Sequence, residues 1–201
     1  VLQRRGIPTL ISWASQAGSA RTSIGFDNRA SMRALADKVL GQGHTEIGII
    51  SGFLDGNDRA SERVQGIKDS LRAQGRDPDA IPIVEAAYEV ADGARAFARI
   101  WDGSERPTVV MCGNDVLAVG AMQAAREMGL RVPDDVSITG FDDIELARIV
   151  TPQLTTVHVP HREMGRRAAI ELIAMVEKRS EGVSQRLETT VQLRASLRAI
   201  G

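Results

Sequence analysis

Two polar clusters, each closing a short apolar run, are where this sequence could do chemistry. Asn114-Asp115 follows the run 108–112, and Gly140-Phe141-Asp142-Asp143 follows the run 136–139, with a helical pattern between them. Asparagine offers a donor and an acceptor, and an ionised aspartate accepts at two oxygens, so together they suit a ligand with hydroxyls. In open parallel α/β sheets, ligands bind outside the carboxyl ends of the strands, where loops and helix N-termini converge. The same residues equally suit N-caps of the segments that follow them, the ordinary role of Asn and Asp at a β-to-α junction. A third reading gives Asp115 or the Asp142-Asp143 pair to a metal, in an enzyme or phosphoacceptor domain. Against it stand the lack of a matching strand-end lysine and of any nucleophile–base pair.

Other chemistry is thinly supported. His44, His158 and His161 have no Ser or Cys partner at a recognisable spacing. No Cys/His cluster has metal-ligand spacing. Neither G-x-G-x-x-G nor a P-loop follows a strand, so no cofactor is expected. The single cysteine, Cys112, lies inside an apolar run and reads as an inert core thiol.

The elements that must position these residues alternate along the chain. Residues 1–5 read as a helix tail closed by Gly6, followed by a strand at 9–12 with Trp13 at its end. A Gly/Ser/Ala-rich connection, 14–20, leads to a short strand at 22–25 and then Phe26-Asp27-Asn28. Met32, Leu35, Ala36, Val39 and Leu40 recur at helical spacing, and Gly41 and Gly43 stop that helix. The continuous run 47–50 predicts a fully buried parallel strand. Val64, Ile67 and Leu71 mark the next helix. A strand at 81–84 precedes Tyr88, and a helix at 91–101 carries Ala94, Phe97, Ala98 and Trp101 inward. The helix 116–128 ends at Gly129, the usual left-handed cap position. A helical turn at 144–149 and an extended segment at 154–157 follow. A helix at 160–178 then has Met164, Ala168, Leu172, Ile173 and Val176 on one face. After a charged loop, 189–194 is a last strand. The order predicts an α/β fold with parallel sheets.

Length and composition narrow the class. The chain has 201 residues, enough for one large or two small domains with a real core. It is 43% apolar and 25% charged, which excludes disordered and fibrous classes. With 25 Lys plus Arg against 26 Asp plus Glu it carries no basic footprint for nucleic acid. No apolar run approaches the roughly 18 residues that span a membrane. The opening Val1-Leu2-Gln3-Arg4-Arg5 lacks an initiator Met and reads as a helix entered midway, so the sequence is expected to be part of a longer protein.

Several segments, in order, resemble the effector-binding core of LacI/GalR-type transcription regulators. They are Gly25-Phe26-Asp27-Asn28, Gly43-His44-Thr45-Glu46-Ile47 and Arg59-Ala60-Ser61-Glu62-Arg63-Val64-Gln65-Gly66. The likeness continues through Cys112-Gly113-Asn114-Asp115, Gly129-Leu130-Arg131-Val132-Pro133, Gly140-Phe141-Asp142-Asp143, Pro152-Gln153-Leu154-Thr155-Thr156-Val157 and Glu163-Met164-Gly165-Arg166-Arg167. None is specific alone; the combination is.

The resemblance implies a type I periplasmic-binding-protein-like fold of two lobes whose parallel sheets are flanked by helices, the N-terminal lobe incomplete. It implies lobes at 1–51 plus 158–181 and at 52–157 plus 182–201, with a small-molecule effector in the cleft between them. Arg63 matches the family's effector-binding arginine, whose fork can take two hydroxyls or a carboxylate in one plane. Asn114 and Asp142 match positions that hydrogen-bond the effector, and Tyr88 matches an aromatic that lies on its apolar face. Trp13, where many relatives have Asp, is expected to wall the cleft with Phe26 and Asp27. Asp115 and Asp143 are expected to serve as caps. The family also implies a cytoplasmic homodimer that reaches operator DNA through a helix-turn-helix head outside this chain, without catalysis or membrane contact. An incomplete lobe leaves an inner strand edge open, where pairing with another chain is expected. A periplasmic sugar-binding protein of a transporter shares the fold and is the competing expectation, to be decided by the sequence upstream.

Overall fold

A computed structural model of the protein describes residues 7–15, 21–103 and 106–200. The expected helix tail 1–5 and its Gly6 stop lie outside the described residues, as does most of the connection 14–20.

From the amino end, β1 (Ile11–Ser12) and β2 (Ser23–Gly25) are followed by α1 (Asn28–Gly41), β3 (Ile47–Gly52) and α2 (Asp58–Ala73). The alternation continues with β4 (Ile83–Ala86), α3 (Val90–Trp101), β5 (Val109–Cys112), α4 (Asp115–Glu127) and β6 (Ser137–Thr139). Next come α5 (Glu145–Ile149), β7 (Thr156–His158), α6 (His161–Val176), β8 (Gln185–Arg186) and β9 (Thr190–Gln192). Local chemistry sets the ends. The Asn57 side chain accepts from Ala60 N to open α2, and Gly75 at φ +71° follows its close. Among the described residues no helix is long and apolar enough to cross a membrane.

The described residues form two compact units. The first holds the chain up to Asn28 together with Val159–Thr189. Its sheet, in the order β1-β2-β8, is parallel, with Ile11 opposite Ser23 and Ile24 opposite Gln185. Helix α6 packs on β1 and β2.

The second unit holds Arg29–His158 and the chain from Thr190 onward. Its parallel sheet runs β4-β3-β5-β6, so all four carboxyl ends lie along one edge. Strands β3 and β5 are buried at every position, which is why they read as unbroken apolar runs. Phe97, Ile100, Leu117 and Ala121 from α3 and α4 close over Val110, Cys112 and Ile138. Each large side chain buried there stabilises the fold by about 1.5–3 kcal/mol. The two helices touch backbone to backbone through Gly93 and Gly120. A Cβ on Gly120 would overlap the Val90 carbonyl oxygen, and one on Gly93 the Leu117 carbonyl oxygen.

The sheets of both units are parallel as expected, and β7 and β9 add a two-stranded antiparallel pair, Val157 opposite Val191. Several other expectations are corrected. Residues 29–51 sit with the second unit rather than the first, since β3 is hydrogen-bonded between β4 and β5 at the centre of that unit's sheet. The charged loop contains β8, whose pairing with β2 places residues 182–189 in the first unit. The strand expected at 81–84 starts at Ile83, after Pro82, which has no N–H to give a ladder. Ala94 and Trp101 pack against the core while half-buried, Ala98 is half-buried, and Ala96 and Ile100 join Phe97 at the buried positions of α3. On α6 only Met164 of the expected apolar face is buried; Ile173 is 54% and Val176 62% exposed. Three strands of two or three residues are too small a platform to cover a helix of more than four turns.

Candidate functional site

The second unit gathers its polar side chains at the carboxyl edge of its sheet. Asn114, just past β5, caps α4: its side chain accepts from Leu117 N at 2.9 Å. The cap uses Oδ1 alone and leaves the amide nitrogen as a donor. Capping and ligand contact, alternatives on spacing, are therefore compatible here.

Asp115 does not act as a cap. Fully buried, it accepts from Thr156 Oγ1 at 2.6 Å and from Ile144 N at 2.9 Å, while its own N–H donates to Phe141 O. Burial pushes its carboxyl up to about 7. The two hydrogen bonds oppose that rise, and the nearby Asp142 and Asp143 add to it.

Asp142 and Asp143 both have positive φ, 112° and 55°. Asp142 N donates to Val157 O at 3.0 Å, which holds the turn against the strand of β7. Its carboxylate lies 3.6 Å from Arg63 Nη2. Asp143, expected as a cap, instead accepts from Arg194 at 2.6 Å, Arg148 at 2.8 Å and His158 Nδ1 at 2.9 Å. Burial opposes its ionisation, but those three donors outweigh it and hold its carboxyl below the usual range.

Arg63, on the first half of α2, is buried, its side chain 7% exposed. The guanidinium lies on the Phe141 ring, 3.9 Å from the centroid, and donates from Nη1 to Gly113 O at 2.7 Å. Burial lowers its pKa, and the charge of Asp142 works against that lowering. Arg63, Asp142 and the Gly113-Asn114 step thus meet at one place. Tyr88, in the loop after β4, is 44% exposed and its phenol end rests over Gly52 at the end of β3. Asn57 Nδ2 reaches its hydroxyl at 3.5 Å.

The first unit gathers the other expected residues. Trp13, at φ 72°, stands edge-on to Phe26, 6.4 Å between centroids, and 4.9 Å from the His161 ring. Its carbonyl accepts from Asn28 Nδ2 at 2.9 Å. Phe26 is buried, so it backs Trp13 rather than forming a surface of its own. Asp27 pairs with Arg186 at 3.2 Å.

Four contributors escaped the sequence. Phe141 was visible only as part of a motif, and Arg186 lies in a two-residue strand without periodicity. Gly52 is an unremarkable strand-end glycine until Tyr88 covers it. His161 stands in the sequence only as a histidine without a Ser or Cys partner. His44 is structural, bridging Thr108 Oγ1 and the Arg198 carbonyl, each at 2.9 Å, whereas His158 holds Asp143 through Nδ1 and is 41% exposed. Cys112 is buried, which raises its thiol pKa and keeps it inert.

Comparison with known proteins adds a lineage. The sequence pattern of the periplasmic binding protein-like domain matches residues 36–197. The HTH-type transcriptional repressor PurR of Escherichia coli O1:K1 / APEC is 39% identical over 179 residues, which cover 88% of this chain and 52% of that protein. The chain therefore spans about half the length of the relatives it matches. A sugar-binding transcriptional regulator of the LacI family from Escherichia coli, solved with phosphate, is similar at 27% identity and a TM-score of 0.85, over 96% of this chain and 69% of that one. A LacI family regulator from Enterococcus faecium, solved with ribose, shares the fold at 23% identity and a TM-score of 0.89, over 100% of this chain and 74% of that one.

Proposed function

This chain belongs to the periplasmic binding protein-like domain family, as an effector-binding core of the LacI/GalR type, and on that premise we propose that it senses a small metabolite for a transcription regulator. The effector is a sugar, sugar acid or nucleobase. One observation carries this reading: the Arg63 guanidinium, clamped between Phe141 and Gly113 O, stands 3.6 Å from the Asp142 carboxylate at the carboxyl edge of a parallel sheet. A planar five-donor fork beside an acceptor, already desolvated and held, suits a rigid ring with several hydroxyl or amide groups. Asn114 adds the amide donor, and Tyr88 an exposed ring for the ligand's apolar face. Trp13 and Asp27 are the effector contacts in the first unit, with Phe26 behind Trp13.

Binding favours whichever arrangement of the protein holds the effector better, and that preference passes to a helix-turn-helix head outside this chain, which contacts operator DNA. The protein works in the cytoplasm as a homodimer and does not turn its ligand over. Among the described residues β1 lies at the edge of its sheet, where strand pairing with a second copy would form the dimer; a monodisperse monomer in light scattering overturns that part. Calorimetry against sugars, sugar acids and nucleobases tests the core of the proposal. The expected result is a hit that Arg63→Ala and Asp142→Ala each abolish; a hit whose binding survives both places the effector elsewhere.

A further inference from the structure

Asp142 and Asp143 point to different partners, and the partners of Asp143 line a second, open polar site. Asp143, Arg148, Gln153, His158, Gln192 and Arg194 line a cavity of about 440 Å³ in the second unit. All six are hydrogen-bonding side chains. Two guanidinium cations share the single carboxylate of Asp143, so the cavity carries a net positive charge before any ligand arrives. The carboxylate is 2% exposed, whereas Arg148 is 58% exposed.

The hydrogen bonds define which atoms remain to serve a ligand. Arg148 reaches Asp143 with Nη2 at 2.8 Å and more loosely with Nε at 3.5 Å, so the Nη1 side of its fork is left to donate elsewhere. His158 lies with Nδ1 2.9 Å from the same oxygen of Asp143. An ionised carboxylate only accepts, so Nδ1 carries the hydrogen and Nε2, across the ring, is the acceptor. A cationic fork and an imidazole acceptor that converge on one oxygen offer a ligand two complementary contacts. The fork takes an anionic oxygen, and Nε2 takes a hydroxyl hydrogen. Gln153 and Gln192 each spend one amide hydrogen within the protein, on Arg148 O and Thr190 Oγ1, and keep the other.

We propose that the cavity formed by Asp143, Arg148, His158 and Arg194 binds a small oxyanion that also carries a hydroxyl, such as a hydroxy acid or hydrogenphosphate. The site is separate from the proposed effector contacts, because Asp142 turns to Arg63 while Asp143 turns to Arg148, Arg194 and His158.

The test is calorimetry at pH 8 on the chain as it stands, with two pairs of probes matched in charge. Hydrogenphosphate is compared with sulfate, and glycolate with acetate; only the first of each pair can donate to His158 Nε2. Wild type is expected to bind hydrogenphosphate or glycolate, whichever source nature uses, several-fold more tightly than its hydroxyl-free match. Arg148→Ala is expected to weaken that binding about tenfold or more, and Arg148→Lys to weaken it less. His158→Ala is expected to abolish the preference within each pair, and Arg63→Ala, which removes a proposed effector contact, to leave binding of the hydroxyl-bearing probes in place. Thermal melts confirm that each variant is folded, and an imidazole NMR shift of His158 on titration reports the contact independently in wild type. No binding of any probe, equal binding within both pairs, or loss in Arg63→Ala with retention in Arg148→Ala overturns the proposal. The last of these outcomes moves the oxyanion to the effector contacts, whereas the first two leave the effector screen untouched, so the two readings fail separately.

Discussion

Asp115 accepts a 2.6 Å hydrogen bond from Thr156 Oγ1, and both side chains are fully buried. The bond joins the start of α4 to β7, and the second oxygen of Asp115 holds Ile144 N just past the Asp142-Asp143 turn. Burial raises this carboxyl to about 7, so the folded protein holds a proton there that the unfolded chain releases near 3.8. A folded state that binds more protons loses stability as pH rises, here across the window from about 4 to about 7. The loss amounts to at most about 4 kcal/mol. Asp115→Asn keeps an acceptor for Ile144 N and offers its amide to Thr156. Urea unfolding between pH 4 and 8 is expected to show that this variant lacks the alkaline-going loss.

His44 has the opposite sign. Burial lowers its pKa, partly offset by its hydrogen bond to the Arg198 carbonyl, so it is neutral in the fold and takes up a proton more readily when unfolded. Its contribution is complete above the unfolded value near 6.5 and is lost as pH falls below that. In the Asp115→Asn background, where the opposing slope is gone, the acid-side loss of stability is expected to steepen. His44→Ala removes this loss and costs about 2–3 kcal/mol at pH 7.5, since Thr108 Oγ1 and a backbone carbonyl lose their shared partner.

Gly52 offers a way to move Tyr88 without touching it. A Cβ at Gly52 would fall within the phenol end of the Tyr88 ring, which is exposed and free to swing away. Gly52→Ala is therefore expected to leave the melting temperature within a few degrees of wild type while weakening effector binding about tenfold. An unchanged affinity in calorimetry removes Tyr88 from the site.

Gly120→Ala tests the opposite situation, a close approach that cannot relax. Here the added carbon meets the Val90 carbonyl oxygen and the backbone of Gly93, both within α3 and its first turn. Helices α3 and α4 must separate, and the expected cost is about 3 kcal/mol in urea unfolding, with no change in ligand affinity per folded molecule.

The elements most legible in the sequence are those whose pattern has a single physical cause. Strands β3 and β5 are covered on both faces, so they appear as unbroken apolar runs. Helix α1 buries Met32, Leu35, Ala36, Val39 and Leu40, all five residues of its stripe. Strand β8 was illegible because Gln185 and Arg186 carry no period and are a strand only by pairing with β2. The apolar stripe on α6 was legible as a stripe but not as an exposed one, since periodicity says which residues share a face and not what covers it. In the site, Asn114 and Asp142 could be read from their places at strand ends. Arg63 came from the resemblance alone; periodicity puts it on a helix surface, and only Phe141, far along the chain, makes it a buried, stacked cation.

The division of the chain has a practical side. Each unit is assembled from two separate stretches, with transitions at residues 28–29, 158–159 and 189–190. No contiguous gene fragment encodes either half, so neither can be expressed as a simple truncation. A protease that nicks one transition leaves two pieces with no covalent bond between them, yet they stay associated, because at least one unit is built from segments of both. The nick shows only as two bands on a denaturing gel from a species that elutes undivided.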